Sequence, residues 1–279
     1  MMKQKKKKLI VSGCSYTIKN YISDSYPELD CSWPKWPELL GEKLNMEVIN
    51  LGFSGAGNRY ILQTLIETIE RTPKDEIGLV IAAWSQSNRD DWQNYYDFNR
   101  EHKFDNERYL KNFKWMNNRK NRPGSVFYWV REACLFYIIL QNICKLYKLP
   151  YFQFQMLSLF EGWLHGLLKT ETEIIENLNN PNFVPKYEYT GNKNKDYRKL
   201  VKLLYEYEPF IDTKRFIGWP LVIRLHGFAI EQKTLMKRQL PGQMDMEMNE
   251  EYIIGGTDTH PNEKGHKKLA EFIYEKMKI

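Results

Sequence analysis

Three residue types in two distant stretches carry the chemistry this chain can be read for: a serine in Gly13-Cys14-Ser15-Tyr16-Thr17, and an aspartate and a histidine in Asp258-Thr259-His260-Pro261. A serine hydroxyl is a weak nucleophile until a base takes its proton, and an imidazole base needs a third group to fix its tautomer. Ser15, His260 and Asp258 are those three types, and together they point to acyl transfer. Cys14 stands beside Ser15, so a thiolate nucleophile is a competing reading on residue type alone. A Gly-x-Ser turn by itself is commonplace; its pairing with the second stretch gives it weight.

For the two stretches to meet, the fold must carry both to one edge. The apolar run Leu9-Ile10-Val11 breaking into Gly13-Cys14-Ser15 reads as a parallel strand that delivers the serine to the carboxyl edge of a sheet. A helix over Trp36–Leu44 has Pro37 in its first turn, and a strand over Glu47–Leu51 breaks into the glycine-rich turn Gly52–Asn58. Ile61, Leu62, Leu65, Ile66 and Ile69 recur at helical spacing, with Asn58 expected as the N-cap and Pro73 beyond the end. A strand over Gly78–Trp84, a long helix over Ser125–Tyr147 and a strand over Tyr151–Met156 follow. The last helix is expected to start at Pro261 and to bury Leu269, Phe272, Ile273 and Met277, leaving Asp258 and His260 in the loop before it.

This alternation predicts an α/β fold: a doubly wound, flavodoxin-like three-layer sandwich around a central parallel sheet of about five strands. One domain over 1–279 is expected, with insertions at about 85–124 and 157–255. The first insertion is polar and without period. The second, an insertion or lid, contains helical stretches near Glu171–Leu178 and Tyr197–Tyr207. The run Met244-Asp245-Met246-Glu247-Met248 reads as an edge strand or loop rather than a metal site.

The chain has 279 residues, 42% hydrophobic and 14% aromatic, with a mean hydropathy of -0.60, values that fit a globular protein with polar surfaces. Its net charge of +6 includes five lysines among the first eight residues, a solvated tail without the aromatic interleaving of a nucleic-acid surface, so no nucleic-acid partner is expected. No apolar run reaches the roughly 18 to 20 residues of a membrane span. Leu9–Val11 is too short for a signal-peptide core of about 7 to 15 residues, and a cytoplasmic location is expected. Cys14, Cys31, Cys134 and Cys144 form no Cys-x-x-Cys pair and share no metal-ligand spacing with the five histidines, which excludes zinc chemistry and implies a reducing compartment. No metal or other cofactor is expected. His266 reads as a packing residue, and His102, His165 and His226 have no evident partner. Arg89, Asp90 and Asp91 read as a solvated loop near the pocket, with Arg89 able to meet an anionic substrate. Trp92, Tyr95, Tyr96, Trp115 and Trp129 are candidates for stacking on sugar rings or for insertion core.

With these residues in place, the chain resembles the SGNH/GDSL hydrolase family of serine esterases and lipases. The family's first block, Gly-Asp-Ser, corresponds to Gly13-Cys14-Ser15, with Cys14 in place of the aspartate. Its second corresponds to Asn50-Leu51-Gly52-Phe53-Ser54-Gly55, and its last to Asp258 and His260 followed by Pro261, Gly265 and His266. The resemblance implies a five-stranded parallel sheet, Ser15 as nucleophile, His260 as base, Asp258 as orienting acid, and an oxyanion hole from the Ser15 and Gly55 amides. It also implies that the side chain before the serine points into the structure. The third block departs from the family's Gly-x-Asn-Asp: here Trp84-Ser85-Gln86-Ser87-Asn88-Arg89-Asp90 follows the strand, so Asn88 is the first choice for the amide donor, with Gln86 and Asn58 as alternatives. Loss of such a donor typically costs about 10² to 10³ in rate. Asp258 precedes His260 by two positions where the family has three; either a loop absorbs the shift or Ser15 and His260 act as a dyad, with a backbone carbonyl orienting the imidazole. The implied function is a serine hydrolase cleaving short-chain acyl or acetyl esters, carbohydrate O-acetyl groups among them, with a small-molecule or carbohydrate ester as substrate. The alternative is an inactive SGNH-fold binding or structural protein, a glycan-binding or virion component. Lys- and Asn-rich members of this kind in phage genomes suggest a host-cytoplasm or virion setting.

Overall fold

A computed structural model describes residues 6–87, 89–94, 114–118, 126–157, 159, 202–219, 251–255 and 258–277. In chain order the strands are β1 (Lys8–Ser12), β2 (Glu47–Asn50), β3 (Ile77–Trp84), β4 (Asp90–Asn94), β5 (Lys114–Asn118), β6 (Tyr151–Gln155), β7 (Phe216–Ile217), β8 (Ile253–Gly255) and β9 (Asp258–Pro261). The long helices are α1 (Trp36–Lys43), α2 (Asn58–Arg71), α3 (Val126–Leu146) and α4 (Glu263–Lys276). Residues 202–207 are also helical.

The central sheet has five strands in the order β2-β1-β3-β6-β7, every neighbouring pair parallel. This is the doubly wound, flavodoxin-like order, and it agrees with the alternation of elements in the sequence. The chain leaves β1 toward β2 through α1, then reverses and crosses through α2 to β3. Right-handed crossovers running in opposite directions put their helices on opposite faces. Accordingly α1 packs with α4, and α2 packs with α3. With both faces covered, all eight residues of β3 are buried and Leu9, Ile10 and Val11 of β1 have no exposed surface. The apolar stripe of α2, Ile61, Leu65 and Ile69, is likewise fully buried.

Four expectations need correction. Within the first insertion, β4 and β5 form an antiparallel pair with Asp90 opposite Asn118; their polar composition hides the alternation that would have marked them as strands. Asp258–Pro261 is a strand paired antiparallel with β8 rather than a loop. Asn262, not Pro261, opens α4: its side chain accepts the Gly265 N–H at 3.0 Å, a bond proline cannot replace, while Pro261 ends β9. Gly57, not Asn58, is the N-cap of α2, and Asn58 is the first helical residue.

Among the described residues no helix is long and apolar enough to cross a membrane, and no three metal-ligating side chains gather. All four cysteines are free and buried. The expected helix near Glu171–Leu178, the run Met244–Met248, most of both insertions, Asn88, Tyr95, Tyr96, His102, His165 and His226 lie outside the described residues, as do the side chains of Asp90, Trp92 and Trp115.

Candidate active site

Ser15 sits just past the carboxyl end of β1. The Thr17 and Ile18 amides donate to the Cys14 carbonyl at 2.8 and 3.2 Å, curling the chain into a tight turn at the strand end. Because β1 is where the strand order reverses, the loops after β1 and β3 diverge there and leave the crevice in which doubly wound sheets bind ligands. Ser15 is 9% exposed at that crevice, whereas Cys14 has no exposed surface. Burial pushes the Cys14 thiol above its ordinary value, more strongly than the Arg89 charge and nearby hydrogen bonds lower it. The side chain before the serine does point inward, and the geometry gives the thiol route no support.

His260 Nε2 lies 2.7 Å from Ser15 Oγ across 245 positions of sequence, and Nδ1 lies 2.7 Å from Asp258 Oδ1. Strand geometry accounts for the two-residue spacing. Residues i and i+2 of a strand project from the same face, so Asp258 and His260 in β9 share a side, which a three-residue spacing within a strand would not allow. The carboxylate curls back far enough to accept the His260 backbone N–H at 3.0 Å through the same Oδ1. An aspartate therefore orients the imidazole, not a backbone carbonyl.

The loop between β1 and α1 completes the arrangement. Tyr21 Oη donates to Asp258 Oδ2 at 2.9 Å and lies 2.8 Å from His260 Nδ1; Ser23 Oγ also donates to Oδ2. The rings of Tyr16 and Tyr21 flank the imidazole with centroids at 4.6 and 4.3 Å, and the Tyr16 hydroxyl reaches the Thr259 carbonyl at 3.0 Å. Sequence reading passed over Tyr16, Tyr21 and Ser23 as site residues. Nothing in an aperiodic polar loop marks which hydroxyls turn inward.

Protons can be assigned from these contacts. Burial alone would raise the Asp258 carboxyl, but hydrogen bonds from Ser23, from the His260 amide and ring, and from Tyr21 together hold it below its usual value. A carboxylate 2.7 Å from Nδ1 requires the proton to be on Nδ1, which leaves Nε2 as a lone pair facing the Ser15 hydroxyl. Burial lowers the pKa of His260, outweighing the Asp258 hydrogen bond and charge that raise it, and the Arg89 charge lowers it further. The imidazole is thus neutral at neutral pH and able to accept the serine proton.

The opposite wall is the loop between β2 and α2. Gly52 lets it close on the nucleophile's turn: a Cβ there would stand 2.6 Å from the Ile18 amide nitrogen. The Phe53 amide donates to the Gly13 carbonyl at 3.0 Å and Asn50 Nδ2 to the Thr17 carbonyl at 2.8 Å, so the two turns are bolted together. Gly55 takes φ +75°, a left-handed conformation that favours glycine. Asn58 accepts the Ser85 N–H at 2.7 Å, and Gln86 accepts Arg89 Nε–H at 3.0 Å. Each amide commits its carbonyl oxygen to the protein, so the NH₂ end is what it can offer a ligand.

Arg89 and Asp91 are not solvated, being 6% and 5% exposed. Arg89 also donates to the Ala56 carbonyl at 3.1 Å, and Asp91 accepts the Gly57 and Tyr60 amides at 2.8 and 3.0 Å. Their charges are used to fix the start of α2, which is why a reading of them as loop surface fails. His266 packs as expected: it is 3% exposed, and its Nδ1 accepts the Trp36 N–H at 3.2 Å.

No family model matches the chain, and no curated protein matches it. Among solved structures it is similar to a protein described as a lipolytic member of the G-D-S-L family from Desulfitobacterium hafniense, at 12% identity and a TM-score of 0.44 over 96% of this chain and 98% of that one. A psychrotrophic esterase from Pseudoalteromonas sp. is similar at 11% identity and a TM-score of 0.43, covering 97% and 96%. An acetyl-xylooligosaccharide esterase from Geobacillus is similar at 12% identity and a TM-score of 0.43, covering 100% of this chain and 97% of that one.

Proposed function

We propose that this protein hydrolyses esters through an acyl-enzyme on Ser15. The observation that carries the reading is the continuous line from Ser15 Oγ to His260 Nε2 and from His260 Nδ1 to Asp258, with both contacts at 2.7 Å. As Ser15 Oγ bonds to the ester carbonyl carbon, its proton passes to Nε2 and the carbonyl electrons move onto oxygen. The Ser15 and Gly55 amides, with Asn58 or Gln86 as the side-chain donor, receive that oxyanion; Asn88, the remaining candidate, lies outside the described residues. Collapse of the intermediate expels the alcohol, which leaves with the proton from Nε2. Water then attacks the acyl group with His260 again as base, releasing the acid and restoring Ser15. Asp258 stays ionised throughout and balances the transient imidazolium.

Short acyl groups, acetyl first, are the substrate class to test, with acetylated carbohydrate as one arm. Of the aromatics that suggested sugar stacking, Trp129 packs against the core, which leaves the alcohol portion to experiment. Hydrolysis of p-nitrophenyl esters of increasing chain length by the wild type, Ser15→Ala and His260→Ala tests the reading. Each substitution is expected to lower kcat by about 10⁴ or more. Mass spectrometry after treatment with a phosphonate ester should place the adduct on Ser15. Equal rates in all three proteins, or an adduct on Cys14, would overturn it.

A further inference from the structure

We propose that Tyr21 is a positioning residue for the ester-hydrolysing site, holding the Asp258 carboxylate and the Nδ1 proton of His260 in one fixed geometry. The proposal rests on the reading of Ser15 as nucleophile. It starts from a limitation of β9 itself. Two side chains at i and i+2 of a strand share a face but stand side by side, each free to rotate about its own χ angles. Asp258 offers Oδ1 to both the backbone N–H and the ring N–H of His260, and only its other oxygen can be anchored from outside the strand.

That anchor comes from the β1–α1 loop. Ser23 and Tyr21 both donate to Oδ2, which with the two bonds to Oδ1 gives the carboxylate four donors and no spare rotation. Tyr21 differs from Ser23 in reaching both members of the pair, since its oxygen is also 2.8 Å from Nδ1. The hydroxyl proton goes to Oδ2, so the phenolic oxygen faces Nδ1–H as a second acceptor beside Oδ1. When Nε2 takes the serine proton and the ring becomes cationic, this oxygen and the carboxylate share the Nδ1–H whose charge has risen. The tyrosine ring meanwhile covers the imidazole at 4.3 Å. Burial and the Asp258 contact push the Tyr21 hydroxyl far above its ordinary value, so it remains a neutral donor across the working pH range.

Tyr21 also lines a cavity of about 520 Å³ with Ile22, Leu29, Trp33, Lys35 and Glu38, so a role in holding ligand must be told apart from a role in holding the triad. Tyr21→Phe keeps the ring and removes only the hydroxyl. The expected result is a kcat lowered about 10- to 100-fold on p-nitrophenyl acetate, the loss of a hydrogen bond to a charged group, with KM changed less than twofold. The downfield Nδ1–H proton resonance of His260, read by NMR in the ligand-free protein, should shift or broaden. Ser23→Ala, which loses its bond to Oδ2 and the acceptor of the Tyr26 amide but no contact with the imidazole, should move it less. In an Asp258→Ala background the effect of Tyr21→Phe should shrink, because the anchoring of Oδ2 is then gone and only the contact with Nδ1 remains.

An effect confined to KM would overturn the proposal in favour of a cavity-wall role. An unchanged kcat with an unmoved resonance would overturn it outright, as would an undiminished loss in the Asp258→Ala background. The resonance needs no substrate, so the two readings fail separately. A wild type inactive on every ester, with a resonance still moved by Tyr21→Phe, would retire the hydrolase reading and support the hold of Tyr21 on the Asp258–His260 pair.

Discussion

Asp258 and Asp91 are both buried aspartates at the carboxyl edge of the same sheet, and both accept hydrogen bonds through both oxygens. They differ in what donates. Asp91 meets two backbone amides at the start of α2, groups that carry no transferable proton and sit where a helix favours negative charge. Asp258 meets one backbone amide but also two hydroxyls and an imidazole, groups whose protons and charge can redistribute. One carboxylate fixes a helix end, and with it the Gly55 loop. The other answers a charge that appears and disappears on its neighbour. Burial alone does not distinguish them; the hydroxyl and imidazole donors mark Asp258.

If that distinction is right, the two should fail differently when cut. Asp258→Ala is expected to lower kcat by about 10³ to 10⁴ in protein that is still fully folded, beyond any stability lost with its four hydrogen bonds. Asp91→Ala should instead destabilise the fold by about 1 to 3 kcal/mol, read from urea denaturation, because it strands two buried amides. Similar loss of activity in both variants with no stability change in either would erase the comparison.

A smaller effect concerns pH. Burial, the largest influence on His260, lowers its pKa below 6.5, so kcat/KM should hold as pH drops past 6.5 and fall only beneath it. Asp258→Ala removes a hydrogen bond and a charge that raise this pKa, and should move the acid limb of residual activity lower still. A limb above 6.5 in the wild type would contradict the burial argument.

The second histidine, His266, gives its signal in stability rather than in rate. Burial takes His266 down to about 3, so it is neutral in the folded protein while the unfolded chain binds its proton below 6.5. The unfolded state thus holds more protons between those values. Stability is complete above 6.5 and declines as pH falls toward 3, by up to about 1.4 kcal/mol per pH unit from this group. His266→Gln should flatten that slope in urea titrations at pH 7 and pH 5.

Much of this was legible in the sequence, for identifiable reasons. The parallel sheet announced itself because doubly covered strands must be apolar throughout, as Leu79–Ala83 is, and because helices with one buried stripe separate them. Ser15, Asp258 and His260 were legible because their types and turn contexts are unusual in combination. Other parts hid for equally physical reasons. In β4 and β5, polar side chains give no period-two signal, and the register is carried by backbone bonds. Asp91 looked like surface because charge usually is; its burial depends on two amides 31 and 34 residues earlier. The Asp-x-His spacing looked like a defect while β9 was read as a loop, and becomes a requirement once it is a strand. Tyr21 and Ser23 sit in a loop whose conformation no periodicity encodes.

Cys14 has a consequence of a different kind. It lies directly under the nucleophile with no exposed surface and a thiol kept protonated by burial. An alkylating reagent can reach it only during the moments when the turn lifts away from the sheet, so its labelling rate under native conditions is a clock for opening events at that corner. Comparing that rate with and without a phosphonate on Ser15 would time how firmly an occupied site keeps its own floor closed.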